Sequence, residues 1–140
     1  MIGVNIVNTQ TREPPGHPDT DAPVLSYRAL AMLLYKERRD RDLELPEGHD
    51  LWGEPAWDML LDLFIATEDG RVVNVTSACI GACVPSTTGL RWIGQLSKAR
   101  LIWRGVDPFD ARKGTLGLTK KAVASMRRYL DRVGEARGYR

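Results

Sequence analysis

Two cysteines, two histidines and two phenylalanines are all that 140 residues hold of these types, and each scarcity closes off a class of protein. Two Cys in a chain of this length make no disulfide framework, and Cys79 and Cys83 have no second Cys/His cluster to complete a zinc site. His17 and His49 lie in Pro- and Gly-containing stretches far from both. No apolar run approaches the roughly 18–20 residues that a membrane-spanning helix needs. The opening MIGVNIVNTQTREPPGHPDTD has no basic start followed by an apolar stretch, so no signal peptide is expected and the cytoplasm is the default location. A Ser/His/Asp set with usable spacing and a phosphate-binding glycine loop are also missing. Asp58 and Asp62 form a carboxylate pair at helical spacing, but on the expected polar side of a helix, facing solvent. Neither an enzyme nor a cofactor is expected.

What is present is ordinary in amount and uneven in arrangement. Apolar residues make up 43% and charged residues 27%, as in a soluble globular domain with one core. The net charge is only +2, yet residues 1–70 hold 6 Lys/Arg against 14 Asp/Glu, whereas residues 71–128 hold 11 Lys/Arg against Asp107 and Asp110 alone. A neutral total with one strongly basic part suggests a polyanion-binding face, the acidic remainder being turned away from it. A solvated surface with segregated charge is the plainer alternative.

Residues 1–23, rich in Pro, Thr, Asp and Asn, read as a flexible arm, and residues 24–140 as a single domain. A helical pattern runs from Val24 to about Asp42, with Leu30, Leu33 and Leu34 apolar, and residues 43–53 connect it to the next. A second helix opens at Glu54-Pro55, Pro being suited to a first helical turn, and Trp57, Leu60, Leu61, Phe64 and Ile65 give it an apolar stripe. It ends near Asp69-Gly70, and Arg71–Asn74 is an extended link. A third helix covers about 76–83, with Asn74 or Thr76 as its cap. Pro85 interrupts the pattern, and Ser86-Thr87-Thr88 offer caps for a fourth helix reaching about Ala99. Two strand-like runs, Leu101–Val106 and Thr115–Leu118, bracket the turn-rich segment from Asp107 to Gly114. Thr119 caps a last helix in which Val123, Met126, Leu130 and Val133 recur at spacings of three to four.

Two short helices joined by a tight turn and followed by a basic hairpin are the parts of a winged helix-turn-helix. The expected fold is therefore α+β and mostly helical, with a helix-turn-helix over 75–99, a wing over 101–118 and a C-terminal helix over 119–137. In such a motif the first helix braces the second, which enters the major groove of duplex DNA. Cys79, Ala82 and Cys83 are the small residues on the bracing helix, and Trp92, Ile93 and Leu96 the inner stripe of the second. Ser86, Thr87, Leu90, Arg91, Gly94 and Gln95 face mostly outward. Hydroxyls at a helix start can bind phosphate, Arg91 can reach guanine or clamp phosphate, and Gln95 can pair with adenine. Between residues 85 and 106 stand Arg91, Lys98, Arg100 and Arg104, and no acid. Arg112 and Lys113 occupy the hairpin tip, from which a long cation can enter a narrow A·T-rich minor groove. Asp107 and Asp110 in the same turn read as structural, capping it and orienting Arg112. Plainer readings stand beside each: Ser86–Thr88 as simple caps, Arg91 as a solubilising residue, and Lys120, Lys121, Arg127 and Arg128 as the solvated side of a helix.

Residues 96–104, LSKARLIWR, and 107–119, DPFDARKGTLGLT, resemble the end of the recognition helix and the wing of the MarR (multiple-antibiotic-resistance regulator) family. The matching residues are Leu96, Lys98, Leu101 and Arg104, then Asp107, Pro108, Asp110 and Arg112, then Leu116, Leu118 and Thr119. The resemblance covers about residues 54–130. It implies a homodimeric transcription regulator on a palindromic operator, with Arg112 in the minor groove and the N- and C-terminal helices making the dimer. Ala111 departs from the family's first wing Arg, and Ala99-Arg100 replaces Arg-Gly before the strand. Gly89 and Gly94 are unusual inside a recognition helix, each costing roughly 1 kcal/mol against Ala. Cys79 and Cys83 have two readings: packing between helices, where free Cys is commonly buried, or a thiol sensor that couples oxidation to DNA release. Two other functions share the same surface, a phage-type or replication accessory DNA-binding protein and a winged-helix protein-interaction module.

Overall fold

Ser26 starts the first helix, its hydroxyl accepting the Ala29 amide at 3.0 Å, which satisfies one of the donors a helix start leaves open. In the computed structural model, which describes residues 23–48, 51 and 53–139, this helix is α1 (Tyr27–Glu44) and it buries Leu30, Ala31 and Leu34. The arm expected over residues 1–23 lies outside the described residues, apart from Pro23. A single 3-10 turn, Pro46–Gly48, follows α1.

The second helix, α2 (Pro55–Glu68), opens on Pro as the sequence predicts. Its burial is wider than the predicted stripe: Met59 and Leu63 are buried together with Leu61, Phe64, Ile65 and Ala66. A helix apolar over most of its circumference is one packed on several sides. The expectation for Asp58 is overturned here. Asp58 is 1% exposed, and its carboxylate takes the Arg38 Nε and the Arg39 Nη2, the latter at 2.8 Å. The two arginines of α1 convert what reads as a solvent-facing position into a buried ionic link between the first two helices. Asp62 is half-buried as well, and burial raises its carboxyl above the ordinary value.

The remaining elements are β1 (Val73–Asn74), α3 (Val75–Gly81), α4 (Ser86–Lys98), β2 (Ile102–Val106), β3 (Gly114–Leu118) and α5 (Lys120–Ala136). The strands form one antiparallel sheet in the order β1-β3-β2. Val73 pairs with Leu116 and Asn74 with Thr115, so the predicted extended link is a short third strand. Trp103, opposite Gly117, lies across it; a Cβ at 117 would meet the indole at 2.7 Å. Thr119 caps α5 as expected, its hydroxyl accepting the Ala122 amide and donating to the Arg100 carbonyl at 2.9 Å.

One core runs through all of this. Ile93 and Leu96 of α4, Ile102 of β2, Leu116 and Leu118 of β3, and Met126 and Leu130 of α5 join the α1 and α2 side chains. At the far side Trp57 meets Tyr129 edge-to-face with centroids 5.1 Å apart, and Arg127 bonds Glu68 at 2.9 Å. No helix among the described residues is long and apolar enough to cross a membrane.

Candidate nucleic-acid interface

The bracing helix α3 begins on Asn74, whose side-chain oxygen accepts the Ser77 amide at 2.8 Å. It ends by a Schellman closure, with the Val84 amide reaching back to the Cys79 carbonyl and the Cys83 amide to that of Ile80. The helix therefore stops at Gly81, and Cys83, predicted inside it, sits in the turn at a left-handed φ of 56°. The two cysteines share no environment. Cys79 is buried and its thiol is pushed up by burial, whereas Cys83 is exposed and its sulfur receives a hydrogen bond from the Arg39 guanidinium. No basic residue adjoins Cys83 in sequence, but α1 brings one from 44 positions away. Tyr35 of the same helix donates its hydroxyl to the Gly81 carbonyl at 2.6 Å. Burial first, and then Cys83, push the Tyr35 hydroxyl up to about 12.

Pro85 stands at the N-cap of α4, and no side chain caps that end. Ser86, Thr87 and Thr88 lie within the first turn instead of capping it, Ser86 and Thr87 exposed and Thr88 half-buried. The first-turn amides thus keep open donors at the positive end of the helix dipole. Ile93 and Leu96 face the core as predicted, and Trp92 is half-buried. Gly89 has a packing reason that the sequence hides. A Cβ there would come within 2.2 Å of the Cys79 sulfur, so this glycine is where the two helices touch. Gly94 is the opposite case, exposed with open space around it.

Arg91, Gln95 and Lys98 are exposed along the outer face of α4, and Arg91 lies over the Trp92 ring at 5.5 Å. Arg104 projects from β2, of which only Ile102 is buried. Arg112 and Lys113 stand exposed on the β2–β3 loop. That loop is closed by the Asp107 amide on the Lys113 carbonyl at 2.9 Å and the Lys113 amide on the Asp110 carbonyl at 3.0 Å. The Asp107 carboxylate accepts the Phe109 amide at 2.8 Å, and that of Asp110 accepts the Arg112 amide at 3.1 Å. Both acids therefore serve the turn, as their positions predict. Lys113 and Arg112 also border a cleft of about 320 Å³ against Asn74, Thr76 and Ser77 at the start of α3.

Among the described residues Arg91, Lys98, Arg100, Arg104 and Lys113 make no ion pair, and Arg112 meets only Asp110 at 3.4 Å. The arginines of α1 differ in this respect: Arg28 is paired with Asp69, and Arg38 and Arg39 with Asp58. No group of three or more His, Cys, Asp or Glu among the described residues is arranged to hold a metal ion.

No protein-family model matches the chain, and no curated protein matches it in sequence. Solved structures do match it. The S. aureus MepR–DNA complex shares 21% identity over 76% of this chain and 82% of that one, with a TM-score of 0.54. AF1382 from Archaeoglobus fulgidus shares 14% identity over 64% of this chain and 96% of that one, with a TM-score of 0.52. The match to Lactococcus lactis ZitR, in its C30AH42A mutant, spans about half of that chain, 48%, at 17% identity and a TM-score of 0.44. At these identities the likeness is one of fold. The chain has the winged-helix fold, mostly helical with a small antiparallel sheet, that the wing motif implies.

Proposed function

We propose that the chain is a cytoplasmic duplex-DNA-binding transcription regulator of the MarR type. In this reading α4 enters the major groove through Ser86, Thr87, Thr88, Arg91, Gln95 and Lys98. Arg104 follows the backbone, while Arg112 and Lys113 bring the wing to the adjacent minor groove. The observation that carries it is the set of cations on α4 and the wing, of which, among the described residues, only Arg112 meets an acid, the Asp110 of its own turn. A surface that leaves its positive charge unpaired is suited to phosphate, with counterion release driving association. The uncapped start of α4 adds amide donors for the same purpose. A fold shared with a protein solved on DNA supports the reading. The family resemblance supplies the rest of it, a homodimer joined through α1 and α5 on a palindromic site.

Selection of bound sequences from a random duplex pool, with the mass measured on the same sample, tests the reading. The expected result is a palindrome with half-sites about one helical turn apart and a dimer mass. Binding without sequence preference would point instead to an accessory DNA-binding protein. Failure to bind any duplex at low salt overturns the proposal. On the selected site, Arg91→Ala is expected to cost about 1–3 kcal/mol and relax base preference, and Arg112→Ala to weaken binding mainly on A·T-rich flanks. Equal losses on every sequence for both changes would show the two roles to be wrong.

A further inference from the structure

Phe109 is 98% exposed at the apex of the wing, the most exposed large apolar side chain among the described residues. It is not there because the loop is loose. The turn carrying it is closed by three backbone hydrogen bonds between Asp107, Asp110 and Lys113, and its own amide is held by the Asp107 carboxylate at 2.8 Å. A ring held into water on an ordered turn forgoes burial that a core or a neighbouring loop could have given it. Its neighbours narrow what it fits. Arg112 and Lys113 are exposed on the same turn, while the two local carboxylates point into the turn to accept the Phe109 and Arg112 amides. The apex thus offers one aromatic ring and two cations, a combination suited to a surface that is anionic outside and apolar within. The minor groove of duplex DNA is such a surface, with phosphates along its walls and stackable base faces between them.

We propose that Phe109 is an apolar wedge that partly unstacks a base step where the wing meets the minor groove, so that the chain selects deformable pyrimidine–purine steps there. This rests on the DNA-binding reading above and adds to it a residue that carries no charge. Proteins that insert Phe or Leu between base steps favour sequences in which unstacking is cheap, and TA is among the cheapest.

The test uses a 24-base-pair alternating dA–dT duplex with 2-aminopurine replacing single adenines, in low salt. Binding of the unaltered chain is expected to raise 2-aminopurine fluorescence, since that base brightens when unstacked. Phe109→Ala is expected to remove the rise and weaken binding on the order of tenfold, the scale of one aromatic–base contact. Phe109→Leu should restore much of both, and neither change should alter the salt dependence, because no charge is lost. Binding by the unaltered chain with silent fluorescence overturns the wedge alone. No binding at all overturns the reading beneath it. A Phe109→Ala chain that binds as before but loses dimer mass would assign the ring to a protein contact instead, and would also overturn the wedge.

Discussion

Gly70 and Gly138 terminate α2 and α5, whereas Cys83 and Arg100 terminate α3 and α4, and the same pair of backward hydrogen bonds closes all four helices. Each closing residue sits at a left-handed φ, 67° and 77° for the two glycines, 56° for Cys83 and 59° for Arg100. Glycine reaches that region without cost, and a residue with a Cβ does so at about 1–2 kcal/mol. The two helices outside the helix-turn-helix, α2 and α5, end in their relaxed form. The two that make up the helix-turn-helix end under strain. Charge divides the same way: Arg28, Arg38 and Arg39 of α1 are tied to Asp69 and Asp58, while the arginines of α4 and the wing have almost nothing opposite them. Helix ends follow the local preference in the frame and depart from it in the helix-turn-helix, the pattern expected if that surface serves the DNA contact proposed above.

Substitutions can break or sharpen this contrast. The largest effect is expected from Asp58→Ala, which leaves two half-buried guanidinium groups without their shared carboxylate, Glu54 and Asp42 being their remaining partners, and should cost up to about 3–5 kcal/mol in urea unfolding. A change below about 1 kcal/mol, the scale of an exposed pair, would mean that the link between α1 and α2 is not what holds the frame. Gly89→Ala, which drives a methyl against the Cys79 sulfur, should cost about 1–3 kcal/mol by overpacking. Arg100→Gly should act in the other direction, relieving the left-handed residue and raising stability by about 0.5–1 kcal/mol. Destabilisation by that change would refute the claim of strain.

The smallest effect, and the most diagnostic, concerns Asp62. Its carboxyl is raised by burial, with Arg71 opposing, so the folded form binds the proton more tightly than the unfolded chain does. Asp62 therefore penalises folding above its folded pKa, and the penalty disappears as pH falls below the unfolded value. Asp62→Asn is expected to raise Tm at neutral pH, with the advantage fading as the solution is acidified through that window. Asp69 has the opposite sign. The Arg28 hydrogen bond holds it below the usual carboxylate value, so its contribution is present at neutral pH and is lost as pH falls through its folded pKa. A Tm difference for Asp62→Asn that grows on acidification would invert the assignment.

Much of this architecture is legible in the sequence because it is local. Pro55, Asn74 and Thr119 mark helix starts by rules that operate over three or four residues, and Asp107-Pro108 with Asp110 writes a turn over the same distance. What stays hidden depends on partners far along the chain. The burial of Asp58 needs Arg38 and Arg39, some twenty residues earlier, and the Cys83 sulfur finds its guanidinium 44 residues away. β1 is two residues long, too short for any alternation to show. Gly89 looks like a flaw in a helix until Cys79 is packed against it. The candidate DNA-contacting residues are legible for a plainer reason: exposure needs no partner, only a polar side chain on the outer side of a helix or loop.

Asn74 does two things at once, pairing with Thr115 in the sheet that carries the wing and capping the helix that braces α4. The sheet that carries the wing is therefore joined to the first turn of α3, and Cys79 of α3 packs against Gly89 of α4. The two parts proposed to touch DNA are held like the jaws of a caliper, at a separation set by the protein. On that mode of binding, DNA whose major-to-minor groove spacing does not fit must deform to be held, and the stiffness of the duplex becomes something the protein measures.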